Sequence, residues 1–385
     1  PEMISPFEPG EVYQQSKINT LSSRAIGAGV FDSAAATLED GGTENADGTI
    51  TRNVLLNIEQ GDKNTISGEI GYSTADGSGV SASYERRNFI GYAQTLKLTA
   101  TAKTNLQSFG VNYNIPYAWR VDRELDLAAE VARENSEFFR GERVSVNALM
   151  TQKLTPKLKV SAGVGLEASQ FKLEEGDTEK VRAYLIQLPG RAVYDNRDNI
   201  FNPTKGFYVE AGAIPSYNIG DDKGAFVIGE IGGSAYQKLS EKFIAAGRVK
   251  YGSIFGSSLE AVPLNQRFYG GGGGSVRGYS YQSISPRNSD GEIIGGRTLV
   301  EGSAELRYRG HDSLLNGNLG FVGFIDAATV GNEQYPDFDT TQYGAGFGVR
   351  YFTDFAPIRA DIAFPLNKRP DDDAFQIYIS IGQAF

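Results

Sequence analysis

The stretch LVEGSAELRYR, residues 299–309, decides the fold class. Its charged side chains all stand at odd-numbered positions, and the positions between them are mostly apolar. Successive residues of a β-strand point to opposite faces, so this segment is predicted to be a strand with one apolar and one charged face. The charged face carries Glu301, Glu305, Arg307 and Arg309. Such a face is too polar to line a packed core.

The same period of two begins near Thr65 and continues to the C-terminus, for example in 96–103, 124–131, 144–150 and 207–213. Between turn signals about sixteen such strands can be counted, an even number as in single-chain bacterial membrane barrels. Their positions are near Ile66, Val80, Leu96, Phe109, Leu125, Val144, Val160, Val181, Phe207, Phe226, Phe243, Leu299, Phe321, Ala345, Ile358 and Ile377. The interval 258–297 is then one long loop, and loops of that length are usually functional or disordered.

Two β architectures fit an alternating pattern. A soluble sandwich or barrel buries the apolar face of each strand, whereas a membrane barrel turns that face to lipid and encloses a wet, ionic lumen. A single soluble core rarely extends over about 320 residues. The terminal stretch FQIYISIGQAF also has one apolar row, made of Phe375, Ile377, Ile379, Ile381 and Phe385. We therefore predict an all-β chain with an antiparallel transmembrane β-barrel of about sixteen strands over residues 63–385.

Residues 1–62 lack this alternation and predict a small α+β domain. A helix is expected within 8–28, with Pro9 in its first turn. Short strands are expected at 33–38 and 49–59, separated by a turn-rich segment. The boundary between the two domains is therefore placed near residue 62.

Composition excludes several classes of function. The formal net charge of −10 provides no electrostatic basis for a nucleic-acid partner, and the absence of cysteine removes disulfides and thiolate chemistry. The one histidine, His311, stands in a predicted turn, which disfavours a hydrolase with a catalytic triad or dyad. We find no metal-ligand spacing and no phosphate-binding loop. We therefore expect a chain that is not an enzyme and has no cofactor.

The stretch YGGGGGSVRGYSYQSISP begins at Tyr269 and contains five consecutive glycines at 270–274. Glycine costs backbone entropy and packs no side chain, so such a run marks a mobile loop or a close backbone approach. The run leads to Val276, Arg277, Gly278 and Tyr279. If the loop folds back into the barrel, the glycines let it pass a crowded interior and Arg277 anchors it to the wall.

With RFY before the glycines and YQSISP after the arginine, this stretch resembles the sixth extracellular loop of the outer-membrane assembly (BamA/TamA) superfamily, and the TamA branch more than the BamA branch. Three further stretches are similar to motifs of that family: the turn YDNRDNIFNPTKG, the terminal strand, and GFIDAATV. In GFIDAATV the resemblance places Gly323, Phe324 and Asp326 on the inner barrel wall. Residues 1–62 resemble the last part of a POTRA domain, a periplasmic module, with its first strand and any earlier repeats missing.

The resemblance implies where Arg277 is anchored. Phe324 and Asp326 are two residues apart, so in a strand both point into the lumen. The planar guanidinium of arginine can pair with Asp326 through two hydrogen bonds and lie against the ring of Phe324, whereas lysine would supply only a point charge. Two roles stay open for this contact: stabilisation of the barrel alone, or a part in its working cycle.

The seam between the first and last barrel strands is the second candidate site that the resemblance implies. The first strand carries Gly68 and Gly71, and the last carries Ile377, Ile379, Gly382 and Phe385. Glycine weakens the packing of a β-ladder. If the first and last strands separate, an unpaired strand edge is exposed inside the bilayer. A strand of a client protein could then pair with this edge. The alternative is that these glycines only relieve crowding between strands.

The resemblance implies an outer-membrane protein assembly or translocation factor that inserts or secretes β-barrel or autotransporter clients through this seam. Its partners would be the outer-membrane bilayer, client outer-membrane proteins and a TamB-like protein anchored in the inner membrane. The expected location is the bacterial outer membrane, with the N-terminal domain in the periplasm. A two-partner secretion exporter of the same superfamily and a passive porin remain alternatives, although a porin would not explain the N-terminal domain.

Overall fold

The computed structural model describes residues 4–75, 77–173, 179–310, 318–353 and 357–381. Of the residues singled out above, His311, Gly382 and Phe385 lie outside the described residues. Within the described ranges, no helix is long and apolar enough to cross a membrane.

The N-terminal domain consists of one helix and two pairs of short strands. Its elements are α1 (Gln15–Gly27), β1 (Phe31–Leu38), β2 (Thr43–Glu44), β3 (Ile50–Thr51) and β4 (Val54–Gln60). β1 pairs with β4 and β2 pairs with β3, both antiparallel. Helix α1 buries Ile18, Leu21 and Ala25, which the helical repeat places on one face. The helix begins later than expected, and the predicted first turn does not form because Gly10 has a φ of 84°, which an α-helix cannot continue.

The rest of the chain forms one closed antiparallel barrel, in which the last strand pairs with the first. Its strands are β5 (Asn64–Ser73), β6 (Gly77–Arg86), β7 (Thr95–Lys103), β8 (Leu106–Pro116), β9 (Arg123–Asn135), β10 (Phe139–Lys153), β11 (Leu158–Leu173), β12 (Val181–Gln187), β13 (Gly190–Asp195), β14 (Gly206–Asn218), β15 (Gly224–Lys238), β16 (Phe243–Gly256), β17 (Thr298–Arg309), β18 (Leu319–Gly331), β19 (Gln342–Tyr351), β20 (Ile358–Pro365) and β21 (Gln376–Ile381).

These strands fill sixteen positions, because β12 and β13 share one: both pair with β11 on one side and with β14 on the other. Leu188 and Pro189 separate them, and proline has no N–H to donate to a ladder. The two residues still bond to the neighbouring strands, through Leu188 N to the Pro215 carbonyl and Gly163 N to the Pro189 carbonyl, at 2.9 Å each. The prediction of a sixteen-stranded antiparallel barrel is confirmed.

The barrel exposes its apolar side chains and buries its charged ones. On β17, Leu306 is 48% exposed, whereas its neighbour Glu305 is 4% exposed. On β11, Leu166 is exposed and Glu167 is buried. This distribution is the inverse of that in a soluble barrel and matches a barrel whose outer face contacts lipid.

Both ends of the described barrel chain lie toward the same opening, because the number of strand positions is even. We call this opening, where β5 begins and the N-terminal domain is attached, the proximal end, and the opposite opening the distal end. The long connection 257–297, called the inner loop below, leaves β16 at the distal end and returns to β17 there. It contains the two 3-10 turns Leu259–Ala261 and Leu264–Gln266.

The inner loop fills the distal part of the lumen with a core of buried apolar side chains. Loop side chains pack against inward-facing side chains of the barrel wall. The sequence predicts a polar lumen, and this part of the lumen is apolar instead. The loop members are Val262, Phe268, Val276, Tyr279 and Ile284, and the wall members include Phe226, Ile228, Ile254, Leu299 and Val330.

A charge placed on the outer face tests whether that face contacts lipid. We expect Leu166→Arg, at the middle of β11, to lower the free energy of unfolding in phospholipid vesicles by about 2–4 kcal/mol, the cost of an arginine at the bilayer midplane. Leu154→Arg is the control, since Leu154 is 55% exposed against 59% for Leu166 but lies in the β10–β11 turn. Urea titration measures both, and equal small losses would contradict a lipid-facing surface.

Candidate functional site

The inner loop places a charged side chain inside the barrel. Arg277 is 2% exposed, and Val276, Gly278 and Tyr279 around it are also buried. Val276 and Tyr279 belong to the apolar core. The Tyr279 hydroxyl lies 2.9 Å from Asn367 Oδ1 and 3.1 Å from the Tyr343 carbonyl oxygen, and it can donate to either. The motif is therefore held on both sides of its arginine.

Arg277 is bound to β18 in the bidentate manner expected from the sequence. Its Nε donates to Asp326 Oδ2 at 2.7 Å and its Nη2 to Asp326 Oδ1 at 2.9 Å, while its backbone N–H donates to Oδ2 at 3.1 Å. Ser303 Oγ holds the same carboxylate at 2.6 Å. The Arg277 Cζ lies 3.4 Å from the centroid of the Phe324 ring. This geometry combines paired hydrogen bonds with a cation–π contact.

Two further carboxylates converge on the guanidinium. Glu305 Oε1 on β17 lies 2.8 Å from Arg277 Nη1, and Asp361 Oδ2 on β20 lies 3.5 Å from it. Burial alone would lower the pKa of Arg277, but the hydrogen bonds to Asp326 and the charges of Asp326, Glu305 and Asp361 raise that pKa above its ordinary value. The side chain therefore stays charged.

Two additional arginines complete a charge cluster. Arg307 donates from Nε to Glu305 Oε2 at 2.8 Å, and Arg350 on β19 forms an ion pair with Asp361. The cluster thus contains three cations and three carboxylates: Arg277, Arg307, Arg350, Glu305, Asp326 and Asp361. The sequence predicted the charged face of β17 but not its contact with Arg277, and it did not single out Arg350 or Asp361.

A row of glycines on β19 makes room for the loop. Gly344, Gly346 and Gly348 alternate with larger residues and face inward. A Cβ atom on Gly344 would lie 2.0 Å from the Arg277 carbonyl oxygen, and one on Gly348 would lie 1.9 Å from Asp361 Oδ1. Sequence reasoning missed this row, although the alternation in YGAGFGVRY is a signal for it.

The third residue of the predicted wall motif lies elsewhere. Gly323 is on the outward face of β18, because it is one position away from Phe324 and strand residues alternate between faces. No heavy atom would lie within 4 Å of a Cβ atom on it. The structure therefore brings Arg277 together with Phe324 and Asp326 but not with Gly323.

The seam between β5 and β21 has a short ladder. Its register contains two pairs, Ser73 with Tyr378 and Tyr72 with Ile379, against ten for β5 with β6 and six for β20 with β21. Beside these pairs, Thr74 N donates to the Ile377 carbonyl at 3.0 Å. Over the described residues, the seam is therefore joined only near its distal end.

Crowding does not explain the seam glycines. The nearest atom to a Cβ on Gly68 or Gly71 would be 3.9 Å away, an ordinary contact distance. Both residues lie on β5, while Ile377 and Ile379 lie on β21. Gly382 and Phe385 fall outside the described residues, so the seam is defined here by the other four residues.

The inner loop contacts both sides of the seam. Gly278 N donates to the Tyr378 hydroxyl on β21 at 3.0 Å. Tyr281 N donates at 3.3 Å to the carbonyl of Ala75, two residues past the end of β5. The residues next to Arg277 are thus part of what joins the first and last strands.

The chain is similar in sequence to known proteins over most of its length. The Omp85 superfamily domain matches residues 88–385. Outer membrane protein assembly factor BamA of Nitratidesulfovibrio vulgaris is 26% identical over 355 residues, which cover 86% of this chain and 43% of that protein. A SAM50-like protein of Schizosaccharomyces pombe is 23% identical over 269 residues, covering 69% of this chain and 52% of that protein. The chain therefore spans roughly half or less of these relatives.

The fold is similar to solved barrels. BamA from Haemophilus ducreyi lacking POTRA domains 1–3 matches with a TM-score of 0.82 at 18% identity, over 99% of this chain and 81% of that chain. CdiB from Acinetobacter baumannii matches with a TM-score of 0.66 at 14% identity, over 98% of this chain and 70% of that chain. At these identities the likeness shows a shared fold.

Removing the loop arginine tests the charge cluster. We expect Arg277→Ala to lower the free energy of unfolding by about 3–5 kcal/mol, because Asp326 is left as an uncompensated buried charge. Arg277→Lys should give a smaller loss, since lysine keeps the charge but not the paired geometry. Urea titration measures both. Arg287→Ala, at an exposed arginine of the same loop, is the control, and a loss there equal to that at Arg277 would contradict the assignment.

The glycines of the inner loop are expected to differ in tolerance. Gly278 has a φ of 103°, and a Cβ on it would lie 2.9 Å from the backbone carbon of Phe364. Gly278→Ala should therefore displace the motif from the wall and increase trypsin cleavage within 257–297. Gly274→Ala should leave cleavage unchanged, since no heavy atom would lie within 4 Å of its Cβ. Similar cleavage of both variants would show that Gly278 is not needed for docking.

Proposed function

The chain belongs to the Omp85 superfamily, and on that premise we propose that it is an outer-membrane protein assembly factor that inserts client β-barrels through the seam between β5 and β21. The BamA and SAM50-like relatives support this proposal through sequence similarity that includes the barrel. The proposed location is the bacterial outer membrane, with the proximal end and the N-terminal domain on the periplasmic side. Client outer-membrane proteins are its proposed partners.

The observation that carries the proposal is the short ladder of the seam. Over the described residues, β5 residues 64–71 have no register partner on β21, and Ser380 and Ile381 extend past the last pair. Backbone groups left unpaired at such an edge are costly in a bilayer and favour the addition of another strand. A client strand that pairs with β5 would satisfy them by β-augmentation.

We also propose that the anchored loop takes part in the working cycle. Its hydrogen bonds to Tyr378 and to the Ala75 carbonyl bridge the seam. Parting of the strands would break at least one of these bonds, while the charge cluster holds the loop in place. The loop would then keep its position on the wall as β21 moves away from β5.

More specific functions rest on the sequence around the inner loop. The similarity of residues 267–286 to the TamA branch motivates the proposal of a TamA-type factor with autotransporter clients and a TamB-like partner. The two-partner secretion exporter is a second candidate, which the fold likeness to CdiB favours. A passive porin has less support, because the apolar core formed by the inner loop occupies the distal lumen.

A reversible covalent tether across the seam tests client insertion. The chain has no cysteine, so Tyr72→Cys with Ile379→Cys would place one pair of thiols at a register position on the outer face. Insertion of a client barrel into vesicles should stop when this variant is oxidised and recover on reduction. The readout is the fraction of client that becomes folded and protease-resistant.

The matched control tethers a neighbouring ladder. Ile70→Cys with Val80→Cys joins β5 to β6, also on the outer face, and leaves the seam free. Oxidation of this control should not affect insertion. Full activity of the oxidised seam variant would count against a lateral opening, and equal inhibition of both variants would indicate a general effect of the tether.

A further inference from the structure

Two neighbouring turns at the proximal end expose large apolar side chains. The β6–β7 turn, residues 87–94, and the β8–β9 turn, residues 117–122, are called the aromatic turns below. Tyr92 is 86% exposed and Trp119 is 74% exposed, and the first turn also exposes Phe89 and Ile90. The mechanism proposed above uses none of these side chains.

The backbone of the aromatic turns is held in a conformation that side chains disfavour. Six residues other than glycine have a positive φ there, and over the rest of the described chain Gln282 alone shares this property. The six are Asn88, Tyr92, Ala93, Tyr117, Trp119 and Asp122. Left-handed backbone is rare for bulky residues, and where it persists the surrounding structure enforces it, often at functional sites.

Specific contacts enforce these conformations. In the first turn, Phe89 N donates to the Gln94 carbonyl at 2.8 Å and Ala93 N donates to Asn88 Oδ1 at 3.1 Å. In the second turn, Ala118 N donates to the Arg123 carbonyl at 2.9 Å, and the Tyr117 hydroxyl donates to the Arg24 carbonyl of the N-terminal domain. The exposed side chains are therefore presented by preformed turns.

The aromatic turns continue the apolar outer face of the barrel. The outward row of β6 reaches Tyr84 and then Arg86 before the first turn. In membrane proteins, tyrosine side chains near the ends of the spanning segments lie at the boundary between lipid tails and headgroups. Arg86 Cζ lies 5.7 Å from the centroid of the Phe89 ring, so an exposed cation stands beside an apolar side chain.

The charge of this surface favours an anionic ligand. Arg86 and Arg120 are exposed, while Arg87 is balanced by Glu85 at 3.0 Å. The remaining charged residue of the turns, Asp122, lines a polar cleft shared with the N-terminal domain. Exposed arginines next to exposed aromatic rings match the phosphate and the upper acyl region of a phospholipid.

We propose that the aromatic turns are a binding site for anionic phospholipid in the leaflet at the proximal end of the barrel. Arg86 and Arg120 bind the lipid phosphates, and Trp119, Tyr92 and the neighbouring apolar side chains insert between the headgroups. The site lies on β6–β9, close to β5 and the seam, and fixes the depth of this side of the barrel. The proposal rests on the membrane location proposed above but not on client insertion.

Trp119 is the single tryptophan of the chain, so its fluorescence reports on this site without any substitution. The full chain is reconstituted in vesicles of phosphatidylcholine with or without phosphatidylglycerol, with bromine atoms near the headgroup end of the acyl chains. We expect bromine to quench Trp119, and acrylamide in the water to quench it less than in detergent. Quenching should be stronger when the phosphatidylglycerol carries the bromine.

Charge variants test the anionic preference. Arg86→Gln and Arg120→Gln should each lower the preference for brominated phosphatidylglycerol about five-fold, since each removes one cation at the membrane surface. Arg287→Gln, at the distal inner loop, should leave it unchanged. Equal quenching by both brominated lipids, or full access of acrylamide to Trp119 in vesicles, would overturn the proposal. Protection of Trp119 that increases with protein density would assign the surface to a second copy and overturn it as well.

Discussion

The structure depends on neutralising one buried charge. Arg277 enters the lumen on a loop, and its carboxylate partners Glu305, Asp326 and Asp361 come from three different strands. A shift of any of these strands by one residue would turn its carboxylate to the outer face and leave the guanidinium short of a partner. The cluster therefore specifies the register of β17, β18 and β20 together with the position of the loop.

The same loop segment links this rigid region to the ladder with the fewest register pairs among the described barrel strands. Over the described residues the seam has two register pairs, and the hydrogen bonds made by Gly278 and Tyr281 supplement them. A neutral hydrogen bond contributes about 0.5–1.5 kcal/mol net, whereas breaking a buried ion pair costs about 3–5 kcal/mol. Each hydrogen bond across the seam is therefore individually weaker than the ion pairs that hold Arg277. The described part of the chain thus combines a firmly anchored loop with a seam of two register pairs.

Much of the fold could be predicted from the sequence, because the alternation of apolar and polar residues extends through every strand. All sixteen strand positions were found, and so was the pairing of Arg277 with Asp326, where a family motif pointed to both residues. The contacts of Arg277 with Glu305 and Asp361 could not be predicted, because they depend on strand register. The alternation does not fix that register, since a shift of two residues keeps the same side chains on the inner face. The apolar core around Val262 was also missed, because a loop residue carries no period that shows where it packs.

Glycine has two different roles in this barrel, and the structure distinguishes them by the space around each residue. On β19, Gly344 and Gly348 are required, because any Cβ would overlap with Arg277 or Asp361. At the seam, a Cβ on Gly68 or Gly71 would make only ordinary contacts, so these glycines relieve no clash and only remove side-chain packing from an edge. The glycines of β19 make room for the anchored loop. Those of β5 reduce side-chain packing on the strand that, over the described residues, forms two register pairs with β21. Over the described residues, the seam thus lacks register pairs and side-chain packing, and its glycines relieve no clash.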